Sequence, residues 1–269
     1  MPFVPSRRAV IYYEFRGASG PPLVLLRGYS SSIRTWNGVD HDLGSDHHTL
    51  VLDNRGTGRS TSPSGTYRVA EMARDVVAVM RHVGFDTAHI VGTSLGGMIA
   101  QELALRFPER VRSLVLAATA PGSKGTSPIT TRGMMTLAAA AMMPSPIRSQ
   151  LTARATLSPP NRHKLDAPAE PGPARRRSNG SLAGLIGQAF AIFQHQAADR
   201  LGTVRAPTLI IHGTSDVLID PSHAQHLVRL IPNARLETWA GAGHDLATED
   251  AKRLAESVRR HVRDAAGSR

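Results

Sequence analysis

The chain has 269 residues, 41% of them hydrophobic, and a formal net charge of +11 with no cysteine. That length supports a sizeable core and one large domain with an insertion, and the missing cysteines exclude disulfides, thiolate metal sites and a thiol nucleophile. The basic residues form no single stripe and aromatics are only 4% of the chain, so the charge reads as a solvated surface and no nucleic-acid partner is expected.

Strand-like and helix-like runs alternate from the start. "AVIYYEF" (9–15), "PLVLLR" (22–27), "HTLVLD" (48–53), "AHIVG" (88–92), "SLVLAA" (113–118), "PTLIIH" (207–212) and "ARLETW" (234–239) are short and rich in β-branched or apolar residues. Several are almost continuously apolar, as strands covered on both faces are. In 67–84, Val69, Met72, Ala73, Val76, Met80 and Val83 recur at helical spacing before Gly84, a natural stop. The stretch 247–262 repeats the pattern with Ala247, Ala251, Leu254, Val258 and Val262. Alternating β and α units predict an α/β fold with a mostly parallel central sheet flanked by helices.

The alternation stops after residue 120. Residues 121–204 hold no convincing strand, and 132–143 and 182–201 read as apolar helices. Between them, 158–181 contains five prolines and the run "ARRRS", which predicts a mobile loop. The expected organisation is a core of residues 1–120 and 205–269 interrupted by a helical cap over 121–204. No stretch approaches the ~20 apolar residues of a membrane span, and "MPFVPSRRAVIYYEF" holds no signal-peptide core, so a cytoplasmic protein with no membrane partner is expected.

Ligands of open parallel sheets bind beyond the carboxyl ends of the strands. There, Gly92-Thr93-Ser94-Leu95-Gly96 joins a predicted strand to a predicted helix and matches G-x-S-x-G, with Gly97 beyond. A serine on such a strained turn needs neighbours without Cβ atoms, and the helix start behind it favours negative charge. A serine nucleophile needs a base, and the chain order for this elbow is serine, acid, histidine. Asp216, after the strand 207–212, and His244, after the last strand, fit that order. Asp220, before Pro221, reads instead as a helix cap, and His212, His223 and His226 as solvated or supporting residues. Gly28-Tyr29 after the strand 22–27 and Leu95 after the serine are positioned to supply oxyanion N–H groups, Tyr29 and Leu95 being the donors. "LDNRGTGRS" (52–60) lacks the lysine of a phosphate loop and reads as a structural turn with local bonds from Asp53 and Arg55. "DHDLGSDHH" (40–48) reads as a solvated loop, since its spacing puts no clean metal-ligand pair on one helix face, and no metal is expected.

"LLRGYSS", "LDNRGTGRS", "HIVGTSLGGMIAQELALRFPERVRSLVLAAT", "APTLIIHGTSDVLID" and "ARLETWAGAGHDLATED" together resemble the α/β-hydrolase superfamily over about residues 9–263. The resemblance, nearest to enol-lactonases and small-molecule methylesterases, implies a Ser94–Asp216–His244 triad and hydrolysis of a small carboxylic ester or lactone without a cofactor. C–C and thioester hydrolysis stay open, as do perhydrolysis and a non-catalytic ligand-binding role. The family usually has His-Gly where this chain has Arg27-Gly28. Arg27 is expected either to bind an acidic substrate or, preferably, to pair with an acid in the core. Met134, Met135, Met142 and Met143 are expected either to line the cap's substrate side or to pack in it.

Overall fold

The most continuously apolar segments become the centre of an eight-stranded sheet ordered β1-β2-β4-β3-β5-β6-β7-β8. The strands are β1 (Phe3–Ser6), β2 (Ala9–Arg16), β3 (Pro22–Leu26), β4 (His48–Leu52), β5 (Ala88–Thr93), β6 (Val111–Ala117), β7 (Thr208–Gly213) and β8 (Ala234–Trp239). This computed structural model describes residues 2–122, 127–141, 143, 145–165 and 181–267. β1 and β2 pair antiparallel, as do β2 and β4, and every pairing from β4 through β8 is parallel. Parallel neighbours need crossover connections, which the intervening helices supply.

Side chains alternate across the sheet with the two-residue period of a strand and build one core on each face. Leu26, Leu52, Ile90, Leu116 and Ile210 face one way, against α2 (Val69–His82) and α3 (Leu95–Arg106). Leu25, Val51, Val91, Val115 and Ile211 face the other way, against Trp36, Trp239 and the last helix. The remaining helices are α1 (Val39–Leu43), α4 (Thr131–Ala141), α5 (Ser145–Thr156), α6 (Leu182–Phe193), α7 (Ser222–Leu230), α8 (Leu246–Glu249) and α9 (Ala251–Gly267). Among the described residues no helix is long and apolar enough to cross a membrane.

Several local expectations need correction. The edge strand β1 was not legible, because four residues containing Pro5 give little pattern. The stretch 247–262 is two helices, since the Asp250 carboxylate accepts the Arg253 N–H at 3.0 Å and starts a new one. The stretch 182–201 stops being α-helical at Phe193. There the chain turns to bond with residues 121–122, Ala197 N–H donating to the Pro121 carbonyl at 2.9 Å. Residues 40–48 are not a solvated loop: α1 ends within them, Asp40 is buried on Arg16 (2.9 Å), and His47 is buried as well. Arg16, the partner of Asp40, lies on β2, and Arg259, the partner of Asp42 and Asp46, lies on α9, both out of reach of a local reading.

The described residues of 121–204 hold helices and turns and no strand. The segment 158–181 begins with a 3-10 helix, Pro159–Leu165, and not with a loose loop. It is fixed by the buried Glu249 carboxylate, which accepts the Ser158 hydroxyl at 2.7 Å and the Asn161 amide, while Lys164 Nζ donates to the Glu249 carbonyl at 2.7 Å. The arginine run at 174–178 lies outside the described residues, as does Met142.

Candidate active site

Ser94 sits at the join of β5 and α3 with φ 55 and ψ −120, a conformation that side chains rarely adopt. The turn is held by Ser94 N–H donating to the Ala117 carbonyl at 2.9 Å and by the Thr119 hydroxyl donating to the Ser94 carbonyl at 2.8 Å. A Cβ on Gly92 would overlap the Gly96 carbonyl, and one on Gly96 would overlap the Leu26 carbonyl at the end of β3. Those two glycines therefore let strand, turn and helix close on one another. α3 begins at Leu95, so its first N–H groups have no partner inside the helix and lie beside the serine.

Asp216 follows β7 on a tight loop and is buried. One carboxylate oxygen accepts the Leu218 and Ile219 N–H groups at 2.8 and 2.9 Å. The other accepts His244 Nδ1 at 2.8 Å and lies 3.1 Å from His212 Nε2. Burial pushes the carboxyl's pKa up, but the charge and hydrogen bonds of the two histidines outweigh it and hold Asp216 ionised, well below the usual carboxylate range. Burial likewise disfavours a charged His244, and the Asp216 carboxylate overcomes this and raises the imidazole above its ordinary value, with Asp245 adding to the rise and Arg27 opposing it. The bond at Nδ1 fixes the His244 tautomer and leaves Nε2 as the nitrogen able to act on a hydroxyl.

Sequence reasoning placed His212 only as a supporting residue, and the structure gives it a specific job. Its Nε2 is 3.1 Å from the Ile219 carbonyl as well as from Asp216, and both are acceptors, so the proton sits on Nε2. Asp220 caps a turn, accepting the Ser222 N–H at 2.9 Å.

The loop after β3 passes directly over the elbow. A Cβ on Gly28 would lie 3.0 Å from Ser94 Cβ and 3.5 Å from Ser94 Oγ, so Gly28 and Tyr29 are brought to the serine. Arg27, buried at the strand end, turns away from it. Its Nε donates to Thr35 Oγ1 at 2.9 Å, and its two terminal nitrogens donate to Asp245 at 3.1–3.3 Å. All three guanidinium nitrogens are thus engaged by protein, with Asp245 the acid that Arg27 pairs with. Met134 and Met135 are 42% and 68% exposed on α4, so neither is packed in the core.

The turn 52–60 is structural, but its bonds reach further than expected. Asp53 accepts the Ile33 N–H at 2.8 Å and the Arg59 N–H at 2.8 Å. Arg55 pairs with the buried Asp75 of α2 at 2.6 and 2.7 Å.

A mostly parallel sheet, a strained serine at a strand–helix join, and a carboxylate–imidazole pair on two later loops define a hydrolase of the α/β class. The alpha/beta hydrolase fold family matches residues 21–251, and the chain belongs to it. It is 30% identical, over 84% of its length and 88% of the other's, to a protein of Pseudomonas savastanoi pv. phaseolicola provisionally named carbamate hydrolase RutD. A protein of the same provisional name from Azorhizobium caulinodans is 40% identical over 116 residues, a match that spans only 43% of each chain. Among solved structures, the esterase RhEst1 from Rhodococcus sp. ECU1013 is 27% identical and superposes with a TM-score of 0.78 over 97% of this chain and 98% of that one.

Proposed function

We propose that the protein is a cofactor-independent serine hydrolase of a small carboxylic ester or lactone, acting through an acyl-enzyme on Ser94. The observation that carries this reading is the Asp216–His244 bond of 2.8 Å, on the loops after β7 and β8, together with the strained Ser94 elbow after β5. His244 takes the Ser94 proton as Oγ attacks the carbonyl carbon, and Asp216 holds the imidazole and stabilises its charged form. The carbonyl oxygen, now an oxyanion, is received by the N–H groups of Tyr29 and Leu95. His244 returns the proton to the leaving alcohol as the acyl-enzyme forms. Water then repeats the sequence with His244 as base, releasing the acid and restoring Ser94. Serine, imidazole and carboxylate carry every proton and electron pair in this scheme, so it needs no metal or cofactor.

The scheme predicts turnover of p-nitrophenyl acetate or butyrate, abolished in Ser94→Ala, and labelling by a fluorophosphonate probe at Ser94 alone. Undiminished turnover in Ser94→Ala, or labelling at another serine, would sink it. The provisional name of the Pseudomonas relative supports a second reading, hydrolysis of a small carbamate by the same residues. Comparing kcat/KM for ethyl butyrate and ethyl carbamate decides between them: a higher value for the carbamate would replace the ester reading.

A further inference from the structure

The fully buried Gln188 lies on α6, in the helical insertion, and reaches two loops of the core. Its Oε1 accepts the Ser30 N–H at 3.0 Å, and its Nε2 donates to the Arg55 carbonyl at 2.8 Å. A backbone N–H requires an acceptor and a carbonyl requires a donor, so only one orientation of the amide serves both.

Ser30 is the residue after Tyr29. It occupies the left-handed region, with φ 55, in a turn closed by Ser31 N–H donating to the Gly28 carbonyl at 3.3 Å. That conformation suits glycine and costs a serine free energy, so the peptide between Tyr29 and Ser30 stays in place only when something holds it. Packing brings Gln188 there: a Cβ on Gly184, one turn earlier in α6, would overlap the Gly56 carbonyl. The insertion helix therefore approaches the 54–60 loop backbone to backbone and delivers the amide to the loop that carries Tyr29.

We infer that Gln188 is a positioning residue: by holding the Tyr29–Ser30 peptide it fixes the adjoining Gly28–Tyr29 peptide, and so sets the aim of the Tyr29 N–H at the oxyanion. The inference rests on the serine-hydrolase reading above. It ties the insertion to the chemical step, where a cap would ordinarily be assigned only substrate binding. An oxyanion donor acts through its alignment with the charge that develops in the transition state, and a displacement of about 1 Å can cost ~100-fold.

The test compares wild type, Gln188→Met and Gln188→Glu, with rates expressed per active site titrated by a fluorophosphonate, so that unfolded protein is not counted. Gln188→Met keeps the volume and loses both bonds. Its kcat on p-nitrophenyl butyrate should fall about 10- to 100-fold with KM within about twofold. Its inhibition constant for a trifluoromethyl ketone, which forms a tetrahedral oxyanion on the serine, should rise by the same factor. A protonated Gln188→Glu side chain reproduces both bonds, the hydroxyl donating to Arg55 and the carbonyl accepting from Ser30. Its rate relative to wild type should therefore fall as pH rises and the carboxyl ionises. A Gln188→Met kcat per site equal to wild type, a loss confined to KM, or a pH-independent Gln188→Glu ratio would overturn the inference. A wild-type protein that neither turns over esters nor takes the phosphonate would overturn the serine-hydrolase reading and this inference with it.

Discussion

The Arg27–Asp245 pair stands next to His244, and its two halves should not be equivalent. Arg27 is buried, its side chain 6% exposed, whereas the Asp245 side chain is 25% exposed. Asp245 also keeps another partner, the Thr248 hydroxyl at 2.8 Å. Replacing Asp245 with Ala strands a buried guanidinium with only Thr35 and the face of Trp36, whose ring centroid is 5.1 Å from Cζ. Breaking a fully buried pair costs about 3–5 kcal/mol, so Asp245→Ala should lie at the lower end, about 3 kcal/mol, because one partner is part-solvated. Arg27→Met leaves a carboxylate that water and Thr248 still satisfy, and should cost about 1–2 kcal/mol. In a chain of this size, 3 kcal/mol corresponds to roughly 6–12 °C in Tm. The Arg27→Met/Asp245→Ala double variant removes both charges and should be less destabilised than the sum of the singles by at least about 1 kcal/mol. Thermal and urea unfolding of the four proteins measure this directly. Arg27→Met as damaging as Asp245→Ala, or strict additivity, would refute the reasoning. If Arg27→Met left Tm unchanged and raised KM only for anionic esters, the guanidinium would be working on substrate after all.

The raised pKa of His244 has a sign that can be tested: the base acts only when deprotonated, so kcat/KM should rise with pH along a limb centred above 6.5, and a limb below 6.5 would contradict the pairing with Asp216. Because Asp245 raises and Arg27 lowers that pKa, Asp245→Asn should move the limb to lower pH and Arg27→Met to higher pH. His212→Phe removes one donor from the Asp216 oxygen that orients His244 and should lower kcat/KM by about 3- to 10-fold at a cost of about 1–2 kcal/mol in urea unfolding; wild-type activity would show that Asp216 does not need it. Burial lowers His195 and His261 to about 4, so the unfolded chain takes up protons first and stability should fall as pH drops from 6.5 towards 4, by about 3 kcal/mol per histidine at most; a urea midpoint unchanged between pH 7 and 4.5 would contradict it.

The parts of this fold legible in the sequence are those set by local pattern. The β3, β5 and β7 cores are almost unbroken apolar runs, and both sheet faces bury them, so no other placement suits them. Ser94, Asp216 and His244 stand out because each follows a strand in an order that elbow chemistry dictates. What stayed hidden depends on partners far along the chain. Gln188 is an ordinary amide on an apolar helix until it meets Ser30, 158 residues away. Glu249 reads as a surface acid near a helix end until it meets Ser158, 91 residues away. Asp245 finds Arg27 across 218 residues. The signal that existed was negative: a glutamine amid the apolar positions of "LAGLIGQAFAIF" has no local reason to be there. A polar group buried in such a face needs a partner somewhere.

Two of these hidden pairs, Gln188 with Ser30 and Glu249 with Ser158, share a geometry that bears on how the site is built. The helical insertion touches the core at the loops that carry the proposed chemistry. At its start, the Thr130 N–H donates to the Leu218 carbonyl at 2.9 Å, and a Cβ on Gly133 of α4 would lie 2.8 Å from Leu218, on the loop whose N–H groups bind Asp216. In its middle, the Asp245 N–H donates to the Thr156 carbonyl at 2.8 Å, and Glu249 joins Ser158 to the Gly243 N–H, bracketing His244 on both sides. At α6, Gln188 holds the loop of Tyr29. The proposed acid, base and oxyanion loop are each buttressed by a different part of the insertion, so damage to an insertion contact should appear in kcat as well as in substrate preference. Glu249→Ala separates the two effects, because it leaves Ser94, Asp216 and His244 untouched while freeing Gly243 and Ser158 together. It should lower kcat for short and long acyl esters by the same factor, about 10-fold, since the displaced group is the base and not the acyl pocket. A loss that grows with acyl length would show instead that this contact shapes only the substrate side.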